Sequence, residues 1–216
     1  MSQLTMTDLT RVRRHPERAH YDRDTLHALL DAALICHIAF VLDGQVQQIP
    51  TACWREGEHL YIHGSNGSRM IRALRAGASV CVAVSLFDGL VLAKSSFSTS
   101  VNYRSALIYG QFAALEGEDA KRASLKAFFE HYLPGRWDEV REPDASELAA
   151  TTVLALPLEQ AVCNVRSGPP QDKAEDEAAP VWAGVLPALS GWGAPQPAPG
   201  CEDWSLPGSV RTAADA

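Results

Sequence analysis

The first regular pattern along the chain is helical. Asp22 and Asp24 suit a helix N-terminus, and apolar side chains then recur every three or four residues, at Leu26, Leu29, Leu30, Ala33 and Leu34. This pattern predicts an amphipathic helix over 23–34. The preceding residues 1–21 show no apolar period and contain four arginines, which predicts an arm extended along a surface.

The chain then takes on the composition of β-strands. Residues 35–42 are rich in branched and aromatic side chains and end at Asp43-Gly44, a pair that favours a tight type I′ turn. Strands over 45–54 and 59–64 follow, so we predict a three-stranded antiparallel meander. Pro50 has no N–H for a ladder hydrogen bond, and we therefore expect it at a sheet edge or a bulge.

The rest of the chain alternates in the same way. The predicted elements are a helix over 69–76, strands over 79–87 and 90–97 joined by a turn at Asp88-Gly89, a long strand run over 103–117, a helix marked by Leu125, Phe128, Phe129 and Tyr132, and a strand pair over 151–158 and 159–166. Short strands with helices at the edges predict a mainly β (α+β) fold, a closed antiparallel barrel of six or more strands with flanking helices.

Charge divides the chain into two parts. The net charge is −7, but residues 168–216 contain seven acidic and two basic side chains together with eight of the 13 prolines. We therefore predict an N-terminal arm at 1–21, a nearly neutral barrel domain at 22–167, and an acidic extension at 168–216 that packs partly on the barrel and is mobile after about residue 193. An acidic chain of this kind argues against a nucleic-acid partner.

Targeting and cysteine signals are sparse. No run of about 18 apolar residues is present, and the N-terminus lacks the apolar centre of a signal peptide, so we expect a cytoplasmic protein without a membrane partner. The five cysteines are widely spaced, which favours reduced thiols.

His59 and His63 share a strand face, but about 13 Å separates such positions, too far for one metal ion. His37 lies in an apolar run, and we expect it to be buried and hydrogen-bonded.

The strongest candidate for chemistry is the segment from His63 to Arg69, where a strand end passes through a Gly/Asn/Ser turn into a helix start. Free N–H groups, the hydroxyls of Ser65 and Ser68, and the Arg69 guanidinium suit a phosphate or another dianion. The alternative is an ordinary N-cap beside a surface arginine. A second polar group, Ser100 to Ser105, could contact a heterocycle or supply a further cation, or it could be an ordinary loop. Motifs of hydrolases, metalloproteases, P-loops and Rossmann folds are absent.

Several segments together resemble one family. IPTACW, YIHGSNGSRM, DGLVLAKSSFSTSVNYRSALIYG, PGRW, VRSGPP and WAG are similar to the pyridoxamine 5′-phosphate oxidase-related flavin-nucleotide-binding proteins, in the branch that includes nitroimidazole-resistance proteins. The resemblance implies an FMN-binding split β-barrel and a homodimer with two flavins at the subunit interface.

The resemblance also implies site residues. It assigns the flavin phosphate to Ile62, His63, Ser68 and Arg69, the strand along the flavin ring to Gln48, Ile49, Pro50 and Thr51, and a further polar group to Asn102, Tyr103, Arg104 and Ser105. His63 is the candidate catalytic residue near the reactive edge of the flavin. No metal site is implied.

Departures from the family pattern narrow the function. Met70 stands where pyridoxamine-phosphate oxidases have a lysine, and their Arg-x-His substrate motif is absent, which disfavours vitamin B6 oxidation. The expectation is a flavin-dependent oxidoreductase acting on a small molecule, with NAD(P)H as a candidate donor. The alternatives are a flavin carrier or sensor without turnover, and a haem-binding split barrel with a histidine ligand.

Overall fold

The computed structural model describes residues 3–215 and consists of eleven strands and five α-helices. The strands are β1 (Ala19–His20), β2 (Ile35–Leu42), β3 (Gln45–Ala52), β4 (Trp54–Glu56), β5 (His59–Ser65), β6 (Ser79–Leu92), β7 (Ser100–Gln111), β8 (Ala113–Ala114), β9 (Thr151–Pro157), β10 (Ala161–Arg166) and β11 (Gly184–Pro187). The helices are α1 (Arg23–Ala32), α2 (Arg69–Arg75), α3 (Glu118–Tyr132), α4 (Ala145–Ala150) and α5 (Gly208–Ala214). Short 3₁₀ turns lie at Pro16–Arg18 and Arg136–Glu139.

The strands form two sheets, which we call the large and the small sheet. The large sheet has the order β1-β10-β7-β6-β2-β3 with β11 paired to the far end of β6, and the small sheet has the order β4-β5-β9-β8. All the pairings are antiparallel. The mainly β split barrel is therefore confirmed, but the two sheets do not join into the closed cylinder that the strand count suggested.

The predicted three-stranded meander is wrong. β2 and β3 form the expected hairpin, and both turn residues, Asp43 and Gly44, have positive φ as a type I′ turn requires. The predicted strand 45–54 breaks at Cys53, however, and its last part becomes β4 in the small sheet. β3 is left at the edge of the large sheet, where the missing N–H of Pro50 costs no ladder bond.

The predicted turn at Asp88-Gly89 is also wrong, because β6 continues through it as one strand of 14 residues with a register shift between Phe87 and Gly89. Gly89 serves a different purpose. A Cβ atom there would lie 2.5 Å from the carbonyl oxygen of Leu186, so only glycine lets β11 approach β6 this closely.

The core lies between the two sheets and is completed by α1 and α2. Fully buried side chains from every layer meet there, including Leu26, Leu30, Ile38, Ile62, Ile71, Val82, Ile108, Leu154 and Leu156. α1 begins at 23 as predicted, where the Asp22 side chain accepts a hydrogen bond from the Thr25 N–H at 2.8 Å. Within residues 3–215 no helix combines the length and apolar content that a membrane crossing needs.

Both ends of the chain are held to the barrel. β1 pairs with β10 and Leu4 is buried, so the arm joins the large sheet. In the tail, β11 pairs with β6. The residues after 193 include α5, where the Ser209 hydroxyl donates to the Glu139 carboxylate at 2.5 Å, and their predicted mobility stays a prediction.

Candidate functional site

The predicted anion-binding segment is a rigid turn between β5 and α2. The Asn66 side chain donates to the Ala149 carbonyl at 2.7 Å and accepts from the Thr152 hydroxyl at 2.5 Å, which fixes the turn to the α4–β9 junction. The Ser68 hydroxyl caps α2 by accepting from the Ile71 N–H at 3.4 Å. Its capping role, one of the two alternatives, is therefore present.

Arg69, the first residue of α2, is an exposed cation. No hydrogen bond or ion pair involves its guanidinium among residues 3–215, and the first turn of α2 contains no acidic side chain. A guanidinium without a carboxylate partner is available to an oxyanion. The anion-binding role of Arg69 stays a prediction, and the exposed guanidinium, unpaired within residues 3–215, is consistent with it.

Ile62 and His63 point to opposite faces of the small sheet. Ile62 is fully buried between the sheets, so only its backbone can meet a ligand. His63 faces α3, where its ring centroid lies 4.9 Å from that of Phe128 and 5.8 Å from that of Trp54. The two neighbours that the resemblance assigns to the flavin phosphate therefore face opposite sides of the sheet, and their shared role stays a prediction.

The His63 imidazole is embedded in aromatic side chains. Its Nδ1 is buried and has no hydrogen-bond partner among the described residues. Burial also lowers the pKa of His63 below its ordinary value, because the charged form loses its hydration there. The ring is therefore neutral at physiological pH and has a nitrogen to which no group of residues 3–215 hydrogen-bonds.

A cavity of about 270 Å³ opens beside His63 beneath α3. Its walls are mainly apolar and aromatic, with Leu125, Phe128, Phe129, Trp137 and Val140, and its charged lining residues are Arg141 and Glu147. A neighbouring cavity of about 320 Å³ shares Trp137 and adds Arg122 and Lys126. Together they form a groove along α3, which we call the α3 groove.

Hydrogen bonds fix α3, which forms one wall of this groove, and the Trp54 ring packed beneath it. The Trp54 indole N–H donates to a Glu56 carboxylate oxygen at 2.9 Å, and the Ser124 hydroxyl donates to the same oxygen at 2.6 Å. At the end of α3, the Tyr132 hydroxyl donates to the Leu34 carbonyl and accepts from the Cys53 N–H at 3.0 Å. Burial raises the pKa of Tyr132 to about 12, so this anchor stays protonated.

The predicted flavin strand lies at the free edge of the large sheet. Gln48 and Pro50 are exposed on its outer face, whereas Ile49 and Thr51 are partly buried. Beyond β3 no strand pairs with it among residues 3–215. His37, directly opposite Pro50, is also exposed, so its predicted burial is wrong: the apolar run of β2 has one open face.

The second polar group lies on β7, three strands away from β3 in the large sheet. Its members are engaged with other parts of the chain. Arg104 makes a two-pronged ion pair with Asp88, the Ser105 hydroxyl donates to the Asn164 carbonyl, and Asn102 bonds to Arg166 and Gly168. No side-chain hydrogen bond of Tyr103 is present among the described residues. Within one chain, this group does not converge with β3.

The sequence pattern missed the α3 groove. Phe128 and Phe129 were identified only as helix periodicity and Trp54 only as strand composition, although the structure gathers them around His63. The sequence signal that could have indicated the groove is the high density of aromatic residues between 128 and 137. The groove-lining cations lie outside every predicted site.

Comparisons with known proteins agree with the fold. The family model described as pyridoxamine 5′-phosphate oxidase matches residues 22–164. The FAD and haem binding protein from Mycobacterium smegmatis is 41% identical, covers 91% of this chain and 97% of its own, and superposes with a TM-score of 0.86. The flavocytochrome Anf3 from Azotobacter vinelandii is 37% identical over 95% of this chain and 96% of its own, with a TM-score of 0.88.

A more distant structure shares the fold alone. It is described as a 5-nitroimidazole antibiotic resistance protein from Bacteroides thetaiotaomicron, and it is 22% identical over 68% of this chain and 86% of its own, with a TM-score of 0.58. A search of curated proteins found no significant match. The family match and the two similar structures lead to one conclusion: the chain belongs to the flavin-binding, split-barrel family of pyridoxamine 5′-phosphate oxidase.

Proposed function

We propose that this protein is a flavin-dependent oxidoreductase that also binds haem, with His63 as the ligand of the iron. The observation that carries the proposal is the partly buried, neutral His63 ring, which lines an aromatic cavity and whose buried Nδ1 has no partner among the described residues. Support comes from two similar structures, one described as FAD and haem binding and the other as a flavocytochrome.

The residues around His63 fit a haem in chemical character. Iron binds the neutral form of imidazole, and burial keeps His63 in that form. Phe128, Phe129 and Trp137 offer flat apolar walls. The groove is also lined by three cations, which suit the carboxylates of a haem. In this structure they form ion pairs with protein carboxylates instead: Arg122 with Glu142, Lys126 with Asp138, and Arg141 with Glu147.

The flavin is assigned to the β5–α2 turn and the free edge of β3. The guanidinium of Arg69 would neutralise a phosphate, the capped start of α2 would hold it, and backbone groups of Gln48 to Thr51 would lie along the ring. The resemblance in the sequence implies FMN. The FAD named for one similar structure makes FAD the form we expect to bind more tightly.

Bound flavin and haem would supply the electron-transfer chemistry, and the chain supplies binding, orientation and exclusion of water. Phe128 and Trp54 contact the His63 ring and restrict its rotation. The Glu56 carboxylate holds Trp54 in turn through the indole N–H. A homodimer, NAD(P)H as the electron donor and a small-molecule acceptor complete the proposal.

The test compares matched variants of purified protein in two titrations. With haem, we expect a Soret band at a shifted position for wild type and for His59→Ala, which alters the same face of β5, and its loss in His63→Ala. With FMN and FAD, we expect Arg69→Gln to weaken binding by about tenfold or more, whereas Arg72→Gln, an exposed arginine on the same helix, has little effect.

Three outcomes would contradict the proposal. A wild-type protein that binds neither flavin excludes the flavin part, and an unchanged haem spectrum in His63→Ala excludes the iron ligand. Steady-state oxidation of NADH or NADPH separates an oxidoreductase from a carrier or sensor. Absence of any turnover with both cofactors bound would favour the carrier.

A further inference from the structure

A polar cavity, separate from the α3 groove, lies at the edge of the large sheet opposite β3. It measures about 440 Å³, a volume in the range of small-molecule sites. The arm, the end of β10 and the start of the tail line it, and its polar members are Glu17, Arg18, His20, Arg166, Ser167 and Gln171. The proposed flavin and haem sites use none of these residues.

Arg166 is held in place before any ligand arrives. Its Nη1 donates to the Val101 carbonyl at 3.1 Å and to the Asn102 side-chain oxygen at 2.8 Å. Both acceptors are neutral, and no carboxylate forms an ion pair with Arg166 among residues 3–215. The guanidinium is therefore oriented without being neutralised, which is the condition for binding an anion.

Asn102 links this cation to the tail. It is only 7% exposed, and its amide nitrogen donates to the Gly168 carbonyl at 3.1 Å while its oxygen accepts from Arg166. Gly168 has a φ of +106°, a conformation that favours glycine in this turn. The buried amide thus fixes both the arginine and the loop that forms one wall of the cavity.

The charge balance of the cavity is positive in an acidic chain. Glu17 is its one carboxylate among the lining residues, and that group accepts from His15 Nδ1 at 2.9 Å and lies 3.8 Å from Arg18 Nε. The Arg166 charge remains uncompensated. Phosphate groups match this arrangement, because a guanidinium can bind two of their oxygens at once while Ser167 and Gln171 offer hydrogen bonds to hydroxyl groups.

From this geometry we infer that the cavity binds the phosphate-bearing ADP part of a dinucleotide. The inference rests on the proposed function, which supplies two sources of that chemistry. One is NAD(P)H, and the other is an FAD whose flavin ring lies on the partner subunit of the proposed homodimer, because β3 of the same chain lies at the opposite edge of the sheet. Arg166 is the phosphate ligand, Arg18 adds a second guanidinium, and Asn102 is a positioning residue that acts through Arg166.

The test uses ADP as the probe, titrated calorimetrically into the full-length protein, both flavin-free and loaded with FMN. We expect Arg166→Gln to weaken ADP binding by about tenfold and Arg18→Gln by a smaller factor. The control is Arg14→Gln, which removes an exposed arginine of the same arm outside the cavity, and it should leave the affinity unchanged. Thermal unfolding of each variant shows that the fold is intact, and Arg18→Gln keeps the test open if Arg166→Gln does not fold.

The two sources give different results. If the FAD affinity falls in Arg166→Gln while the FMN affinity does not, the cavity holds the adenylate of the flavin. If both flavin affinities stay the same and the KM for NADPH rises, the cavity holds the donor.

The inference is overturned if ADP does not bind wild type, or if it binds wild type, Arg166→Gln and Arg18→Gln equally. A failure of the proposed function looks different. A protein that binds ADP through Arg166 but binds no flavin would retain this site and lose the flavin assignment.

Discussion

The outer faces of the two sheets differ in what covers them. α3 lies across the small sheet, so that Trp54 is fully buried and His63 is enclosed by aromatic rings. Nothing within residues 3–215 covers the outer face of the large sheet in this way. Apolar side chains stand exposed on it, namely Ile35, Val41, Val46 and Phe87.

This difference separates two kinds of chemistry. A covered face changes the properties of a polar group placed in it, as the lowered pKa of His63 illustrates. An uncovered face with aligned apolar residues is the surface on which a second copy of a chain is expected to lie. We therefore propose the open face of the large sheet as the dimer surface and the covered face of the small sheet as the haem site.

The largest expected effect comes from uncovering the small sheet. Phe128→Ala removes a ring that contacts His63, Trp54 and Tyr132, and we expect it to lower the free energy of unfolding by about 3 kcal/mol. Urea unfolding measures this loss. Phe97→Ala is the matched control, because Phe97 is 85% exposed and its removal should cost less than about 0.5 kcal/mol. Equal losses in the two variants would show that α3 does not seal this face.

A charge on the open face tests assembly. Val46 is 76% exposed, so Val46→Asp should leave the folded chain stable. In a two-fold dimer, each subunit would contribute one aspartate to the interface, so two negative charges would be buried there. We expect the dimer dissociation constant to rise by about a hundredfold, measured by sedimentation velocity.

Leu189→Asp is the control for this change, since Leu189 is 96% exposed but lies in the tail. The assignment of the open face to a dimer fails if Val46→Asp stays as dimeric as wild type. It also fails if the wild-type protein is a monomer at all accessible concentrations.

The dipeptide Asp-Gly, which occurs twice, shows which part of the fold could be predicted from the sequence. Asp-Gly at 43–44 and at 88–89 gave the same turn prediction, and only the first is a turn. The second glycine is needed because Leu186, far along the chain, passes 2.5 Å from its missing Cβ position. Local chemistry determines a hairpin, whereas a close approach between distant segments leaves no local signal.

The candidate site shows the same limit. Ser68, Arg69 and His63 belong to one short segment, and the sequence identified them together. Asn102 was also identified, but only in a group with its neighbours in sequence, whereas its hydrogen-bond partners Arg166 and Gly168 come from a strand and a loop more than 60 residues later. The sheet register that joins them depends on β10 pairing with β7, which no local pattern of Asn102 encodes.

A smaller effect is expected from the pH dependence of stability. Burial lowers the pKa of His63 below its ordinary value of 6.5, so the unfolded chain binds a proton that the folded one does not. His63 should therefore reduce stability as the pH falls below about 6.5, by at most about 1.4 kcal/mol per pH unit. Urea unfolding at pH 7.5 and 5.5 should show a steeper loss for wild type than for His63→Gln. The same slope in both would mean that the covered face does not hold this ring neutral.

The smallest effect is expected at Arg104, near the open end of the large sheet. Its ion pair with Asp88 is partly exposed, so Arg104→Gln should cost about 0.5 kcal/mol of stability in urea unfolding. Because Asp88 already occupies the guanidinium, the variant should also change FMN and FAD affinity far less than Arg69→Gln does. Fluorescence titration of the two variants side by side measures this. An equal loss of flavin affinity would show that Arg104 leaves Asp88 to reach the cofactor, and would place the polar group of β7 in the flavin site after all.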